Sequence, residues 1–250
     1  TNASRTCLLN IKTAKWDKRL CELFNVPMPL LPEIVDCAGN LGNAHTGLSK
    51  QLPILSAIGD QQSASVGQAC FHPGSVKATF GTGCFVILNT GGRILKSSNR
   101  LLTTIGLQLN QKQTYAMEGS IFVAGAVIQW LRDGIGLLKD AKQSEKIASE
   151  LASNNGVYMV PAFTGLGAPY WSADARGAIF GITRDTSPED FIRAALEAVA
   201  YQTNDLISAM AQDGMRPTNI KVDGGMAANN WLMQFLSNIV DITVERPSQL

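Results

Sequence analysis

At Val76 the spacing of apolar residues changes, and nothing else in the chain limits its fold as strongly. Residues 76–80 and 85–89 flank Gly81-Thr82-Gly83 and read as a β-hairpin, and residues 102–109 and 114–118 form a second pair across Asn110-Gln111. A helix over 121–131 and a more polar one over 144–152 follow, then short strands over 157–161 and 178–182 around a loop rich in glycine and aromatics. Ser187-Pro188-Glu189-Asp190 opens a long helix, with Ser187 as cap, Pro188 at the first position and an acid three residues on. A buried strand over 220–222, Gly224-Gly225 and a helix over 228–239 complete the series. Strands in hairpin order, then alternating helices and strands, specify an α/β class with a mixed sheet.

The first 72 residues read differently, as the end of a domain. Asp17 caps a short helix with Leu20, Leu23 and Phe24 on one face, and Pro27, Pro29 and Pro32 then impose an extended loop. Residues 53–58 read as a buried strand ending at Gly59, with Asp60 as the N-cap of a helix over 61–70. His72-Pro73-Gly74 is the expected boundary. The chain opens at Thr1 in what reads as mid-fold sequence, so we expect it to be a piece of something longer.

Composition narrows the function. Charged residues are 16% of the chain against about 25% in ordinary soluble domains, which suggests surface covered by another lobe or subunit. A net charge of +1 offers no pull towards nucleic acid or an anionic membrane. Five cysteines without a C-x-x-C and two histidines argue for reduced thiols in a cytoplasmic protein and against a zinc site. The longest apolar run, over 121–131, falls short of the roughly 20 residues that cross a bilayer, and no signal peptide opens the chain.

Four segments carry candidate chemistry, the first three each with a bland alternative. Gly59-Asp60-Gln61-Gln62 sets an acid where a strand meets a helix, as reactive groups or helix caps are set. Gly81-Thr82-Gly83 could offer N–H groups and a hydroxyl to a phosphate, or simply turn a hairpin. Gly125, with Gln129 one turn on, allows close approach of a ligand or of another element. Asp223-Gly224-Gly225 followed by Asn229 resembles an adenosine pocket at a helix start. Neither G-x-G-x-x-G nor a Walker-type phosphate loop occurs, so Rossmann and P-loop assignments fail.

Taken in order, these segments resemble the sugar-kinase family that includes glycerol, xylulose, gluconate and fucose kinases. The stretch from Gly177-Ala178-Ile179-Phe180-Gly181-Ile182 through Asp190-Phe191 to Ala194-Ala195-Leu196-Glu197 resembles that family's second signature. Within the family the likeness is closest to the glycerol kinases, through Phe80-Gly81-Thr82-Gly83-Cys84-Phe85, Gly167-Ala168-Pro169-Tyr170-Trp171 and Leu232-Met233-Gln234-Phe235. The resemblance implies an actin-like ATPase lobe of the ribonuclease H type. Residues 1–72 would end a substrate lobe, and residues 73–250 would form a nucleotide-binding lobe whose last helices are missing. It implies ATP-dependent phosphorylation of glycerol with Mg2+, and Asp60 as general base. Gln61 and Phe85 would contact glycerol. Gly81, Thr82 and Gly83 would hold the phosphates, with Gly125, Gln129, Gly225 and Asn229 around the nucleotide.

The family's N-terminal phosphate loop, magnesium-organising acid and Arg-Glu pair have no counterpart here, so the fragment alone is expected to be inactive until joined to that lobe. The loop over 39–50 also lacks the Gly-Gly-Thr-Arg type of sequence with which some glycerol kinases bind fructose 1,6-bisphosphate. The aromatic loop over 163–171 is assigned to packing. A homo-oligomer is compatible with the sequence. A sister kinase for a pentose or hexose derivative, and a non-catalytic actin-like nucleotide-binding protein, are the alternatives.

Overall fold

The structure, a computed structural model, describes residues 1–44, 47 and 51–248. The elements in order are β1 (Leu9–Asn10), β2 (Lys15–Trp16), α1 (Lys18–Leu23), β3 (Asn43–Ala44), β4 (Leu52–Pro53) and α2 (Asp60–Gly67), then β5 (Ser75–Phe80), β6 (Cys84–Gly91), β7 (Leu102–Leu109) and β8 (Lys112–Ile121). They continue with α3 (Gly125–Gln129), α4 (Gln143–Glu150), β9 (Tyr158–Val160), β10 (Ala178–Phe180), α5 (Pro188–Gln212), β11 (Asn219–Asp223), α6 (Asn230–Val240) and β12 (Val244–Glu245).

Six strands form the central mixed sheet in the order β12-β11-β5-β6-β8-β7, the class expected from the sequence. Strands β5 to β8 run as two antiparallel hairpins, while β11 lies parallel to β5, with Asp223 beside Thr79. Alternation along β5 gives the sheet two unlike faces. Val76, Ala78 and Phe80 join Val86, Leu88, Met117, Ile220 and Val222 in one core with the buried stripe of α5 and with α6. Gly119 of β8 is required there, because an added Cβ would come within 2.3 Å of Leu206 on α5. The opposite face carries Lys77, Thr79, Phe85, Lys221 and Asp223, paired side by side.

Residues 1–72 cover part of that polar face and, among the described residues, build no large core of their own. Leu9 packs with Ile105 and Tyr115 of the sheet edge. Arg5 clamps Glu118 bidentately at 2.7 and 3.0 Å, and the Cys37 N–H donates to the Gln108 carbonyl. Asp17 caps α1 as expected, but Leu23 and Phe24 are exposed and Cys21 is the buried residue of that helix. The strand expected over 53–58 is not buried. It lies across the surface, its backbone bonded to residues 37–42, and among the described residues the side chains of 53–57 stay exposed.

Three more expectations shift. Strand β8 runs on to Ile121, so the helix expected over 121–131 starts only at Gly125 and continues as a π-helical turn over Trp130–Gly134. The β8 backbone is taken up by pairing with β6, which leaves those residues no freedom to coil. Gly59, not Asp60, caps α2, which ends at Gly67. The last helix begins at Asn230, after a 3-10 turn over Gly225–Ala228. At α5 the capping box forms as read, with the Ser187 N–H donating to Asp190 at 2.8 Å. His45, Thr46 and Leu48-Ser49-Lys50 of the loop over 39–50 lie outside the described residues.

Candidate active site

The tip of the β5–β6 hairpin is fixed from behind. The Gly81 N–H donates to the Gly83 carbonyl, while the Gly81 and Thr82 carbonyls accept from Gly125, Ala124 and Ala126 at 2.8–3.1 Å. The start of α3 is thereby tied to the hairpin. Gly125 must be glycine for this, since a Cβ would sit 2.6 Å from the Gly81 carbonyl oxygen. Gly83 is required by packing as well: its Cβ would come within 2.5 Å of the Ile121 carbonyl. Gly224, at φ +89°, lies on the Phe80 backbone. For Gly225, in contrast, an added Cβ would meet nothing within 4 Å.

A cavity of about 540 Å³ opens on the α5 side of this tip. Gly81, Thr82, Gly125, Gln129, Gly225 and Asn229 all line it; Gly83 does not. Asn229 is partly committed, because its Oδ1 caps α6 by accepting the Leu232 N–H at 2.8 Å. The sequence reading missed Ile128, Arg132, Lys142, Glu145 and Met226 on the same wall. Arg132 could have been found, since it falls one turn beyond Gln129 on α3's continuation. Its guanidinium is gripped by Asp133 at 2.6 and 2.7 Å, which raises its pKa.

Asp60, Gln61 and Phe85 stand apart from that cavity, on the polar side of the sheet. Asp60 is exposed in the first turn of α2, with Oδ1 accepting the Gln61 N–H at 2.7 Å. Phe85 is 41% exposed and sits directly across from Thr79. Between them lies a residue the sequence reading passed over. Lys77 is fully buried, and its Nζ donates to the Gln61 Oε1 at 2.8 Å. Burial pulls its pKa down, while Asp223, Cys84, Asp60 and Cys70 push back. A charged residue inside an otherwise apolar strand was the available signal. Thr79 Oγ1, two residues along the same face, is buried without a partner among the described residues.

The aromatic loop packs at Phe163, while Tyr170 and Trp171 stay partly exposed. Phe163 lies 4.9 Å from Trp130, and Trp171 meets Phe122 and donates from Nε1 to the Arg100 carbonyl. Among the described residues no cluster of three His, Cys, Asp or Glu could hold a metal, and no helix is long and apolar enough to cross a membrane.

Known proteins share the sequence and fold of this chain. A glycerol kinase of Pseudomonas aeruginosa is 57% identical over 248 residues, covering 99% of this chain and 50% of the relative. The glycerol kinase of Ectopseudomonas mendocina is 57% identical over 249 residues with the same coverage. The chain thus spans about half the length of the curated relatives it matches. The crystal structure of Plasmodium falciparum glycerol kinase with ADP superposes with a TM-score of 0.93 at 40% identity, covering 99% of this chain and 50% of that one. Ligand-bound xylulose kinase from Lactobacillus acidophilus shares the fold, with a TM-score of 0.84 at 21% identity over 97% of this chain and 50% of its own. The N-terminal domain profile of the FGGY carbohydrate kinases matches residues 1–67 and the C-terminal domain profile matches residues 76–250, and the chain belongs to that family.

Proposed function

We propose that this chain is the nucleotide-holding half of a glycerol kinase, which transfers the terminal phosphoryl group of ATP to a terminal hydroxyl of glycerol. One observation carries the reading. The hairpin tip Gly81-Thr82-Gly83 stands between two unlike places: the cavity on one side, and Asp60, Gln61 and Phe85 on the other. A nucleotide seated in the cavity extends its phosphates over Thr82 towards the alcohol. The choice of glycerol follows the names of the relatives at 57% identity.

In this reading Asp60 accepts the proton of the attacking hydroxyl through the oxygen not held by the Gln61 N–H. Gln61 binds a second hydroxyl, and Phe85 lies against the carbon chain. Thr82 and the neighbouring backbone hold phosphate oxygens, while Gln129, Gly225 and Asn229 frame the nucleoside. Gly83 serves the turn rather than the ligand. Magnesium bound with ATP would neutralise phosphate charge, and the acid that organises it is assigned to the remaining half of the polypeptide, leaving Asp60 for the proton. We assign residues 1–72 to the end of a substrate lobe and 73–250 to the nucleotide lobe. The opposite wall comes from the remaining half of the polypeptide, and the enzyme works in the cytoplasm.

The test is an ADP-release assay of the intact protein with a panel of glycerol, xylulose and gluconate. Turnover dependent on glycerol is expected; turnover with another polyol instead would refute the assignment.

A further inference from the structure

A lysine without solvent exposure inside a strand is expensive to bury, so a specific task is expected of it. The Lys77 Nζ has one hydrogen bond among the described residues, to Gln61. The groups facing it are Asp223 and Lys221 on β11, Cys84 on β6, and Asp60 and Cys70 from the α2 side. Burial pulls its pKa down and the carboxylates oppose that effect. Nζ donates its hydrogen bond to the Gln61 Oε1. The Gln61 amide thus turns its oxygen to Lys77, and its Nε2 hydrogens point elsewhere. Those hydrogens have no partner among the described residues, and Gln61 is half-buried at the start of α2 beside Asp60.

We propose that Lys77 is a positioning residue that fixes Gln61 as a hydrogen-bond donor towards an oxygen of the alcohol substrate. The proposal rests on the glycerol kinase reading above. Asp60 accepts and Gln61 donates, and this polarity matches a polyol that gives one hydroxyl proton to the base and offers a lone pair from a neighbouring oxygen. Without Lys77 the amide is free to flip and present either end.

The experiment is steady-state kinetics on the intact enzyme carrying Lys77→Met, Gln61→Ala, both together, or Gln61→Glu. Lys77→Met should raise the KM for glycerol about tenfold, the loss of one well-made hydrogen bond, with the KM for ATP unchanged. In the Gln61→Ala background the same change should matter by no more than about twofold, because Lys77 acts through Gln61. Equal effects in both backgrounds, or a parallel rise in the KM for ATP, would overturn the proposal as mere structural support. Gln61→Glu guards against a folding defect, since glutamate keeps its bond to Lys77 and loses only its donors. It should melt no lower than the parent yet bind glycerol at least about tenfold more weakly; unchanged glycerol affinity would overturn the donor assignment. A parent enzyme inert towards glycerol would remove this proposal and the functional reading together. Normal glycerol turnover with additive Lys77 and Gln61 effects would remove the proposal alone.

Discussion

Replacing Gly225 by valine separates ligand binding from folding at a single position. Gly225 is exposed, begins a 3-10 turn without a positive φ, and has no atom within 4 Å of where a Cβ would stand. A side chain there meets neither backbone nor core. The change in stability should therefore stay within about 0.5 kcal/mol, as for surface positions without special features. Its methyl groups enter the cavity bounded by Gly81, Gln129 and Asn229. Overpacking against a seated nucleotide costs about 1–3 kcal/mol, so ATP should bind roughly 5- to 150-fold more weakly. Calorimetric titration of ADP, with a thermal melt on the same sample, reads both quantities. The contrast is Gly125→Ala, whose Cβ would strike the Gly81 carbonyl, so that this variant should lose about 1–3 kcal/mol of stability. If Gly225→Val binds ADP like the parent, the cavity is not the nucleotide site. If it unfolds, the space around Gly225 is not open.

Three other outcomes are expected. Asp60→Asn should lower kcat about a hundredfold to ten-thousandfold with ATP affinity unchanged, and near-normal turnover at neutral pH would take Asp60 out of the general-base role. Glu197 is buried, accepts from Arg193 and Asn154 at 2.8 Å, and leaves Arg193 stacked on Trp231. Glu197→Leu strands that cation and should cost about 3–5 kcal/mol in a denaturant melt, with much of it recovered in the double variant with Arg193→Met. Burial opposes ionisation of Asp213, but hydrogen bonds from Ser97, Ser98 and Asn99 outweigh it and hold its pKa below 3.8. A depressed carboxylate stabilises the fold above its unfolded pKa and loses that contribution as pH falls. The stability gap between parent and Asp213→Ala should therefore narrow as pH drops through 3.8, and a gap constant down to pH 2 would contradict the assignment.

What could be read from the sequence was what local chemistry decides. The Gly81-Thr82-Gly83 hairpin, the Asn110-Gln111 turn and the capping box at Ser187 are each written in a few adjacent residues, and each forms as read. Where neighbours in space decide, the reading slipped. The apolar stretch at 53–58 looks like a core strand, yet among the described residues 53–57 stay exposed, and residues 121–124 look helical until pairing with β6 claims Ile121. Glycine was the most ambiguous signal. Gly83, Gly125 and Gly225 look equivalent in sequence, but the first two answer to a carbonyl and only the third to open space. Lys77 went unread because its significance depends on Gln61, 16 residues away, crossing onto the same face.

The arrangement of nucleotide and alcohol on opposite sides of one hairpin tip is tested most directly by a crystal structure of the intact protein with ADP and glycerol. ADP is expected in the cavity between Gly81 and Asn229, its phosphates over Thr82, with glycerol within hydrogen-bond distance of Asp60 and Gln61 and its carbons against Phe85. Glycerol bound away from Asp60, or ADP on the Lys77 face of the sheet, would contradict it.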